Sequence, residues 1–311
     1  MVDGGLPKDH PPMPLLRPDD CVRFVSPASP VEREAVERRA EVLRDWGLRV
    51  EVAAHAFDRL GYLAGEDDAR LADLADALLD PVVHAVFATR GGKGSYRIAH
   101  RLPFAAIAHR PKPLIGFSDI TALHLALWQK SGAIGVHSAL TGNEADRLSG
   151  VATASLQRVL MSDDAVVVAA DPAIASGSLT TTGRAMGPLI GGNLTMIATA
   201  AGWALPTLAG AILLIESNDL FIGQFHRFLT MLVRAGHLDG IAGIAVGHLV
   251  GTPDRPPFSA MSLLREHLAG FGVPILGGLP IGHHADARTV LIGAKTVIDA
   301  DAGTLIQDRA R

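Results

Sequence analysis

Short apolar runs, typical of buried strands, alternate along the chain with longer segments of helical periodicity. The first runs lie at residues 21–25, 48–53, 82–88 and 113–117. The clearest helix is predicted at about residues 67–79, where leucine and alanine recur at positions i, i+3, i+4, i+7 and i+8. Strand–helix alternation of this kind predicts a parallel sheet that is covered by helices on both faces.

Two further helices follow from local signals. Ser29 as N-cap and Pro30 at the first helical position predict a helix that runs to about Trp46, with Gly47 as its stop. Residues 119–130 are apolar almost all round, which predicts a helix that is buried on most sides.

A change of composition indicates two domains. Residues 142–185 are rich in alanine, serine, threonine and aspartate and have only short apolar runs. We therefore expect a flexible leader at 1–20, an N-terminal domain at 21–150, a linker region at 151–184 and a C-terminal domain at 185–311. Residues 185–215 carry no charge, but glycines and prolines interrupt them, so a membrane span is not expected.

The composition excludes some classes of partner. Of the 311 residues, 48% are hydrophobic and 19% are charged, which is enough for a large core. The net charge of −4 leaves no basic excess for a phosphate backbone, so no nucleic-acid partner is expected. The single cysteine, Cys21, opens an apolar run and is expected to pack as a small hydrophobe. Residues 1–20 lack the continuous apolar stretch of a secretory signal.

Ser118 lies where an apolar strand meets the buried helix. The segment Gly116-Phe117-Ser118-Asp119 resembles a nucleophile elbow, in which a sharp turn exposes a serine hydroxyl at the edge of a sheet. The free N–H groups and positive dipole at the start of a helix suit a developing oxyanion. Ile120 departs from the G-x-S-x-G pattern, and Ser118 as a simple helix N-cap remains the alternative.

A glycine-rich loop at residues 90–95 also follows a strand. It is expected at the same sheet edge as Ser118, because the carboxyl ends of parallel strands share one edge. Its spacing matches neither a P-loop nor a dinucleotide fingerprint. Its backbone N–H groups are suited to donate to an oxyanion, although a tight turn without chemistry is the alternative.

A nucleophilic serine needs a base, and the base needs an orienting acid. Glu216 ends an apolar strand, where an unpaired charge is costly. His283 and His284 follow another apolar segment. A surface carboxylate and loop histidines are the alternatives. Among the thirteen histidines, His124 is expected in the core and His137 near the site.

Short blocks in this order carry a resemblance to a known family: residues 25–27 (VSP), 63–66 (LAGE), 70–74 (RLADL), 90–94 (RGGKG), 115–124 (IGFSDITALH), 191–194 (GGNL), 214–216 (LIE), 243–247 (GIAVG) and 279–283 (LPIGH). Together they resemble the LD-carboxypeptidase family of serine peptidases (muramoyltetrapeptide carboxypeptidases). The family includes a branch similar to the microcin C self-immunity peptidases. The blocks cover nearly the whole chain after the leader.

The resemblance implies an α/β fold, with a flavodoxin-like parallel sheet that carries the nucleophile and a C-terminal α/β domain that carries the acid and the histidine. It implies Ser118 as nucleophile, His283 rather than His284 as base, and Glu216 as orienting acid. The backbone N–H groups of Gly92 and Asp119 would form the oxyanion hole. Neither a metal nor a cofactor is implied.

The expected reaction is hydrolysis of an L,D-amide bond near the C-terminus of murein tetrapeptides, by a cytoplasmic homodimer in peptidoglycan recycling. Alternatives are hydrolysis of peptidyl or aminoacyl nucleotides and, in another class, a non-catalytic binding protein on the same fold. A cofactor-dependent oxidoreductase is a more distant alternative.

Three segments depart from the pattern of the family. Lys93 replaces an aromatic residue that is common in the glycine loop, and residues 134–138 and 217–219 also differ. These departures concern substrate identity more than the triad.

Overall fold

The computed structural model describes residues 13–138 and 150–308. The strands of the described residues are β1 Cys21–Val25, β2 Arg49–Val52, β3 Val83–Ala88, β4 Leu114–Gly116, β5 Gly135–His137, β6 Val166–Ala169, β7 Arg184–Asn193, β8 Ile212–Asn218, β9 Gly243–Val250, β10 Ile275–Leu276, β11 Val290–Ile292, β12 Lys295–Asp299 and β13 Thr304–Gln307. The α-helices are α1 Arg33–Asp45, α2 Asp67–Leu79, α3 Ser95–Ile98, α4 Phe104–His109, α5 Thr121–Ser131, α6 Gly150–Met161, α7 Leu194–Ala200, α8 Ile222–Arg234 and α9 Ala260–Leu268.

The first sheet confirms the predicted flavodoxin-like architecture. Its strands run in the order β2-β1-β3-β4-β5, and each neighbouring pair is parallel. The alternating side chains of β1 enter two cores: Cys21 and Val25 join the core that includes α2, while Val22 and Phe24 join the core that includes α1. Helices therefore cover both faces of this sheet.

The second sheet is mixed. Strands β7, β8, β9 and β10 are parallel, whereas β12, β13 and β6 continue the sheet in antiparallel pairs. In addition, β11 belongs to the C-terminal part of the chain but joins the first sheet, where it pairs antiparallel with β5. The first sheet is thus completed by residues that lie far along the chain.

Helix α5 lies between the two sheets. Every residue from Thr121 to Trp128 is buried, as the apolar pattern predicts. The helix contacts β5 on one side and β7 and α7 on the other, and one hydrophobic core contains residues from both halves of the chain. Because α5 begins only three residues after Ser118, this packing fixes the position of the serine turn.

The ends of the predicted helices are partly wrong. Helix α1 begins at Arg33 instead of next to Ser29, and its N-cap position is Glu32. The Ser29 hydroxyl does not cap the helix and instead accepts a hydrogen bond from the Lys93 N–H at 3.0 Å. The predicted stop is correct: Gly47 follows the helix with φ +84°.

The segments outside the two predicted domains contain regular structure and buried residues that the sequence pattern does not predict. Leu16, in the predicted leader, is buried, and its N–H donates to the Leu160 carbonyl at 2.8 Å. The predicted linker 151–184 contains most of α6 and the strand β6. Residues 1–12 and 139–149 lie outside the described residues, so the boundary near residue 150 stays a prediction.

Candidate active site

Ser118 lies on a strained strand-to-helix turn. Strand β4 ends at Gly116, a 3-10 turn spans Ser118–Ile120, and α5 begins at Thr121. Ser118 has φ +61°, a left-handed conformation that costs a non-glycine residue about 1–3 kcal/mol. The cap position is Phe117 rather than Ser118, so the simple N-cap interpretation does not describe this serine. The geometry has the character of a nucleophile elbow.

The glycine loop lies directly against this serine. A Cβ added to Gly91 would be 2.8 Å from the Ser118 Cβ and 3.2 Å from the Ser118 Oγ. Gly92 has φ +109°, and a Cβ there would clash with the Ser29 Oγ. Both positions therefore require glycine, the first for space and the second for space and conformation. The predicted proximity of the loop and Ser118 is confirmed.

A buried arginine holds the far end of the loop. The Arg70 guanidinium donates to the Gly94 carbonyl at 3.1 Å and to the Pro27 carbonyl, and it forms an ion pair with Asp67. Its side chain is fully buried, and these acceptors compensate the charge that burial removes from water. Arg70 thus links α2, the loop after β1 and the glycine loop, which fixes the backbone beside Ser118.

Asp119 connects the loop to the serine turn. Its Oδ2 accepts from the Ser95 N–H at 2.7 Å, and the Ser95 hydroxyl donates to the Asp119 carbonyl at 2.6 Å. Burial raises the pKa of Asp119 to about 6, although the hydrogen bonds from Ser95 act in the opposite direction. The sequence pattern indicates only a backbone role for Asp119. The structure adds this side-chain contact, which no spacing rule reveals.

Glu216 and His283, 67 residues apart, form a short pair. The His283 Nδ1 lies 2.6 Å from the Glu216 Oε2, and Glu216 is fully buried. Burial would raise the pKa of Glu216, but the charge of His283 and its hydrogen bond outweigh this, so the pKa lies below its usual value. Since a carboxylate only accepts, His283 Nδ1–H donates in either protonation state, and in the neutral imidazole Nε2 then carries the lone pair.

A glycine permits this close approach. Gly282 has φ +107°, and a Cβ there would lie 2.8 Å from the Glu216 Oε2. Gly247 on the neighbouring strand β9 also borders Glu216, since its Cβ would be 3.4 Å from the Glu216 Cβ. The G-H dipeptide of the C-terminal block is therefore needed for packing against the acid, in addition to any chemistry of His283.

Phe117 joins the two halves of the site. Its ring contacts the His283 ring with centroids 4.7 Å apart, and Ser118 is the next residue in the chain. The His283 side chain is still 16% exposed, so a substrate has access to it. The structure therefore brings the serine turn, the glycine loop and the acid–histidine pair together, as the sequence analysis predicts.

The sequence matches the LD-carboxypeptidase N-terminal domain over residues 22–138 and the LD-carboxypeptidase C-terminal domain over residues 186–298. The chain belongs to the LD-carboxypeptidase family. It is accordingly a serine carboxypeptidase, and the resemblance noted from the sequence is confirmed.

Relatives match almost end to end. A putative carboxypeptidase of Streptomyces coelicolor is 36% identical, with 94% of this chain and 95% of that protein covered. The murein tetrapeptide carboxypeptidase of Pseudomonas aeruginosa is 30% identical, with 91% and 94% covered.

Solved structures show the same fold. The muramoyltetrapeptide carboxypeptidase of Oxalobacter formigenes superimposes with a TM-score of 0.81 at 26% identity, with 92% of this chain and 97% of that one covered. The microcin C7 self immunity protein MccF superimposes with a TM-score of 0.83 at 22% identity, with 96% and 98% covered. At that identity, the second likeness supports the fold alone.

Two other histidines of this LD-carboxypeptidase are buried. The His124 Nε2 is 2.9 Å from the Leu114 carbonyl, and burial lowers its pKa to about 3, which confirms the predicted core role. His137 ends β5 and meets Phe117 edge to face at 5.9 Å. Burial lowers the pKa of His137 to about 4, and in the described part of the chain neither of its ring nitrogens has a hydrogen-bond partner. The His137 imidazole is therefore neutral and packs beside Phe117 at the edge of the site.

The remaining candidates lie apart from the pair. His284 stacks on His248 with centroids 4.6 Å apart and an interplanar angle of 16°, so its ring faces another histidine, not Glu216. Cys21 is buried in β1, and burial raises the pKa of its thiol to about 11. A thiol with that pKa is a poor nucleophile at neutral pH, as expected for a packed residue.

Proposed function

We propose that this serine carboxypeptidase hydrolyses the L,D-amide bond near the C-terminus of murein tetrapeptides and releases the terminal D-alanine. The 2.6 Å contact of His283 with buried Glu216, next to a serine turn with positive φ, is the observation that carries the proposal. The names of the Pseudomonas and Oxalobacter relatives support the class of substrate. Ser118 is the proposed nucleophile, with His283 as base and Glu216 as orienting acid.

Acylation begins when the Ser118 Oγ attacks the carbonyl carbon of the amide. The His283 Nε2 takes the hydroxyl proton, while Nδ1–H stays bonded to Glu216, which stabilises the imidazolium that forms. The negative charge on the carbonyl oxygen is held by the backbone N–H groups of Gly92 and Asp119, each contributing about 3–4 kcal/mol if it behaves like other oxyanion donors. The C–N bond then breaks as His283 gives its proton to the leaving amine.

Deacylation repeats these steps with water. His283 removes a proton from a water molecule, the hydroxide attacks the ester carbon of acyl-Ser118, and the ester C–O bond breaks. The serine oxygen recovers its proton from His283. The shortened peptide leaves with a new carboxylate, and no metal or redox step enters the balance.

The cellular setting is a further part of the proposal. No helix within residues 13–138 and 150–308 is long and apolar enough to cross a membrane. We propose a cytoplasmic enzyme of peptidoglycan recycling that acts as a homodimer. Fractionation of cells and the mass of the protein in solution, measured by light scattering, test the two statements separately.

The decisive experiment incubates a murein tetrapeptide with the wild type and with Ser118→Ala, followed by mass spectrometry. Loss of D-alanine with the wild type alone is the expected result. A decrease in kcat of about 10⁶-fold is typical when a catalytic serine is removed. A thermal unfolding scan of both proteins shows whether the variant is folded.

Other outcomes identify the alternatives. Equal cleavage by both proteins would remove Ser118 from the mechanism. No cleavage of the tetrapeptide, together with Ser118-dependent cleavage of an aminoacyl nucleotide, would favour the activity of the immunity branch. Binding of either ligand without turnover would favour a non-catalytic binding protein, which family membership and the retained acid–histidine pair oppose.

A further inference from the structure

A cluster of metal-ligand side chains lies on two C-terminal helices. His226 on α8 and Glu266 and His267 on α9 each place a ligand atom within 4.8 Å of the other two. In the described residues this is the one such group of three His, Cys, Asp or Glu side chains. We propose that these three residues bind a divalent transition-metal cation, with Zn²⁺ as the representative ion, and that the ion links α8 to α9.

The hydrogen bonds of His267 prepare it as a ligand. Its Nδ1 lies 2.9 Å from the Leu263 carbonyl, and because a carbonyl only accepts, Nδ1 carries the proton. Nε2 therefore carries the lone pair and accepts a hydrogen bond from the Thr230 hydroxyl at 3.0 Å. A bound cation would replace this hydrogen bond, and the hydroxyl can turn away because it rotates about its own bond. Metal-bound histidines characteristically donate their second ring N–H to a backbone carbonyl, which fixes the tautomer and the ring orientation.

The two helices position the donors on one pocket. His226 and Thr230 are four residues apart on α8, so they share one helix face, and both line the same pocket as Glu266 and His267. The rings of His226 and His267 are 5.1 Å apart at 84°. Tetrahedral ligands at 2.0–2.1 Å from Zn²⁺ are about 3.4 Å from each other, so the side chains need only small rotamer changes. Glu266 is exposed, which leaves it free to make such a change.

The donor set selects the kind of cation. Two imidazole nitrogens and one carboxylate suit Zn²⁺ and its first-row neighbours, whereas Ca²⁺ and Mg²⁺ prefer oxygen ligands. Arg227 and Arg234 line the same pocket. Their positive charges oppose loose cation binding, so the ion must be held by coordination bonds instead of a general negative field. Three protein ligands also leave a fourth position for water.

Zn²⁺ affinity measured by competition with a chelating indicator at pH 7.5 tests the site. We expect His226→Ala and His267→Ala each to weaken the tightest Zn²⁺ site at least about 10-fold, as loss of supporting or direct ligands does elsewhere. His237→Ala is the matched control: it removes an imidazole just after the same helix, outside the cluster, and should leave the affinity unchanged. Unchanged affinity in the first two variants would overturn the proposal.

Two further measurements keep the test independent of folding and of carboxypeptidase activity. Glu266→Gln changes only an exposed side chain, so a weaker Zn²⁺ affinity in this variant is not a folding effect. A crystal of the wild type soaked in Zn²⁺ should give an anomalous peak between the three side chains. A peak at other residues would disprove the site, and a failure of murein hydrolysis would leave it intact, because no catalytic residue is involved.

Discussion

The two halves of the active site are built in different ways. The serine half depends on backbone conformation: Ser118 and Gly92 both have positive φ, and the glycine loop touches the serine through Gly91. The acid–histidine half depends on a side-chain pair, since His283 lies 2.6 Å from Glu216, which is fully buried. In the serine half, the backbone conformation positions the N–H donors. In the acid–histidine half, burial holds the Glu216 carboxylate in a fixed position.

This difference has a physical origin. Oxyanion stabilisation needs N–H groups that point to one place, and a chain with glycines provides donors that are themselves uncharged. A histidine that becomes positive needs a fixed anion near it, and burying that anion is costly unless it is paired. The serine half should therefore be sensitive mainly to added volume, while the acid–histidine half, which is also tightly packed at Gly282, should in addition be sensitive to loss of charge.

After the removal of Ser118 itself, the largest effect is expected from Glu216→Gln. This change keeps the size of the side chain but removes the charge that stabilises imidazolium on His283. We expect kcat on the murein tetrapeptide to decrease about 10³–10⁴-fold, the range known for loss of the acid in a serine triad. Steady-state kinetics measure the decrease, and circular dichroism shows that the variant is folded.

The same substitution at an exposed carboxylate is the control. Glu34→Gln, in the first turn of α1, should leave kcat within about twofold of the wild type, as surface changes usually do. If Glu216→Gln retained wild-type kcat, the buried carboxylate would have only a packing role. The acid–histidine half would then not depend on charge, and the proposed contrast between the two halves would be wrong.

A smaller effect is expected from Gly91→Ala in the serine half. The new Cβ would be 2.8 Å from the Ser118 Cβ and 3.1 Å from the Phe117 carbonyl, so the loop or the serine turn must move. A displacement of about 1 Å at a reacting group costs about 10²-fold in rate. We expect kcat to decrease by about this factor while the charge of the site is unchanged.

Gly270→Ala tests whether added volume alone explains the result. Gly270 lies in the 3-10 turn after α9, and nothing lies within 4 Å of a Cβ built there. This variant should retain wild-type kcat and melting temperature. A Gly91→Ala enzyme with normal kcat would show that the loop adapts to a methyl group, and the serine half would then be less rigid than its geometry indicates.

The sequence predicts the local parts of the molecule well. Strand–helix alternation gives the parallel sheet, and periodicity places α2 at the observed residues. The buried face of α2 differs from the apolar stripe, however: Arg70 is buried while Leu79 is 42% exposed. Arg70 is drawn inward because loop carbonyls and Asp67 satisfy its charge, which hydropathy does not register.

The non-local parts escape the pattern. The antiparallel addition of β11 to the first sheet joins residues more than 150 positions apart, and no periodicity encodes such a pairing. The same is true of the Phe117 contact with His283 and of the Ser95 clamp on Asp119. The choice of Ser118, Glu216 and His283 depended on family resemblance, and their chemical roles stay a prediction until kinetics test them.

The smallest predicted effect concerns Asp119, the ionisable residue that follows Ser118 in the serine half of the site. The folded pKa of Asp119 is about 6, against about 3.9 in an unfolded chain. The native state therefore binds the proton more tightly, so the stability from protonated Asp119 is present below about pH 4 and is lost as the pH rises through about 6. Asp119→Asn keeps an acceptor for the Ser95 N–H but does not titrate.

Between pH 4.5 and 7.5 we expect the wild type to lose about 1–2 kcal/mol of unfolding free energy relative to Asp119→Asn, measured by urea unfolding at each pH. The difference between the two proteins cancels the histidines, whose lowered pKa values act in the opposite direction. A wild type that gains stability with pH relative to Asp119→Asn would mean that the Ser95 N–H stabilises the ionised carboxylate more than burial opposes it. In that case the serine half would also hold a buried carboxylate, and the contrast with Glu216 would be one of degree.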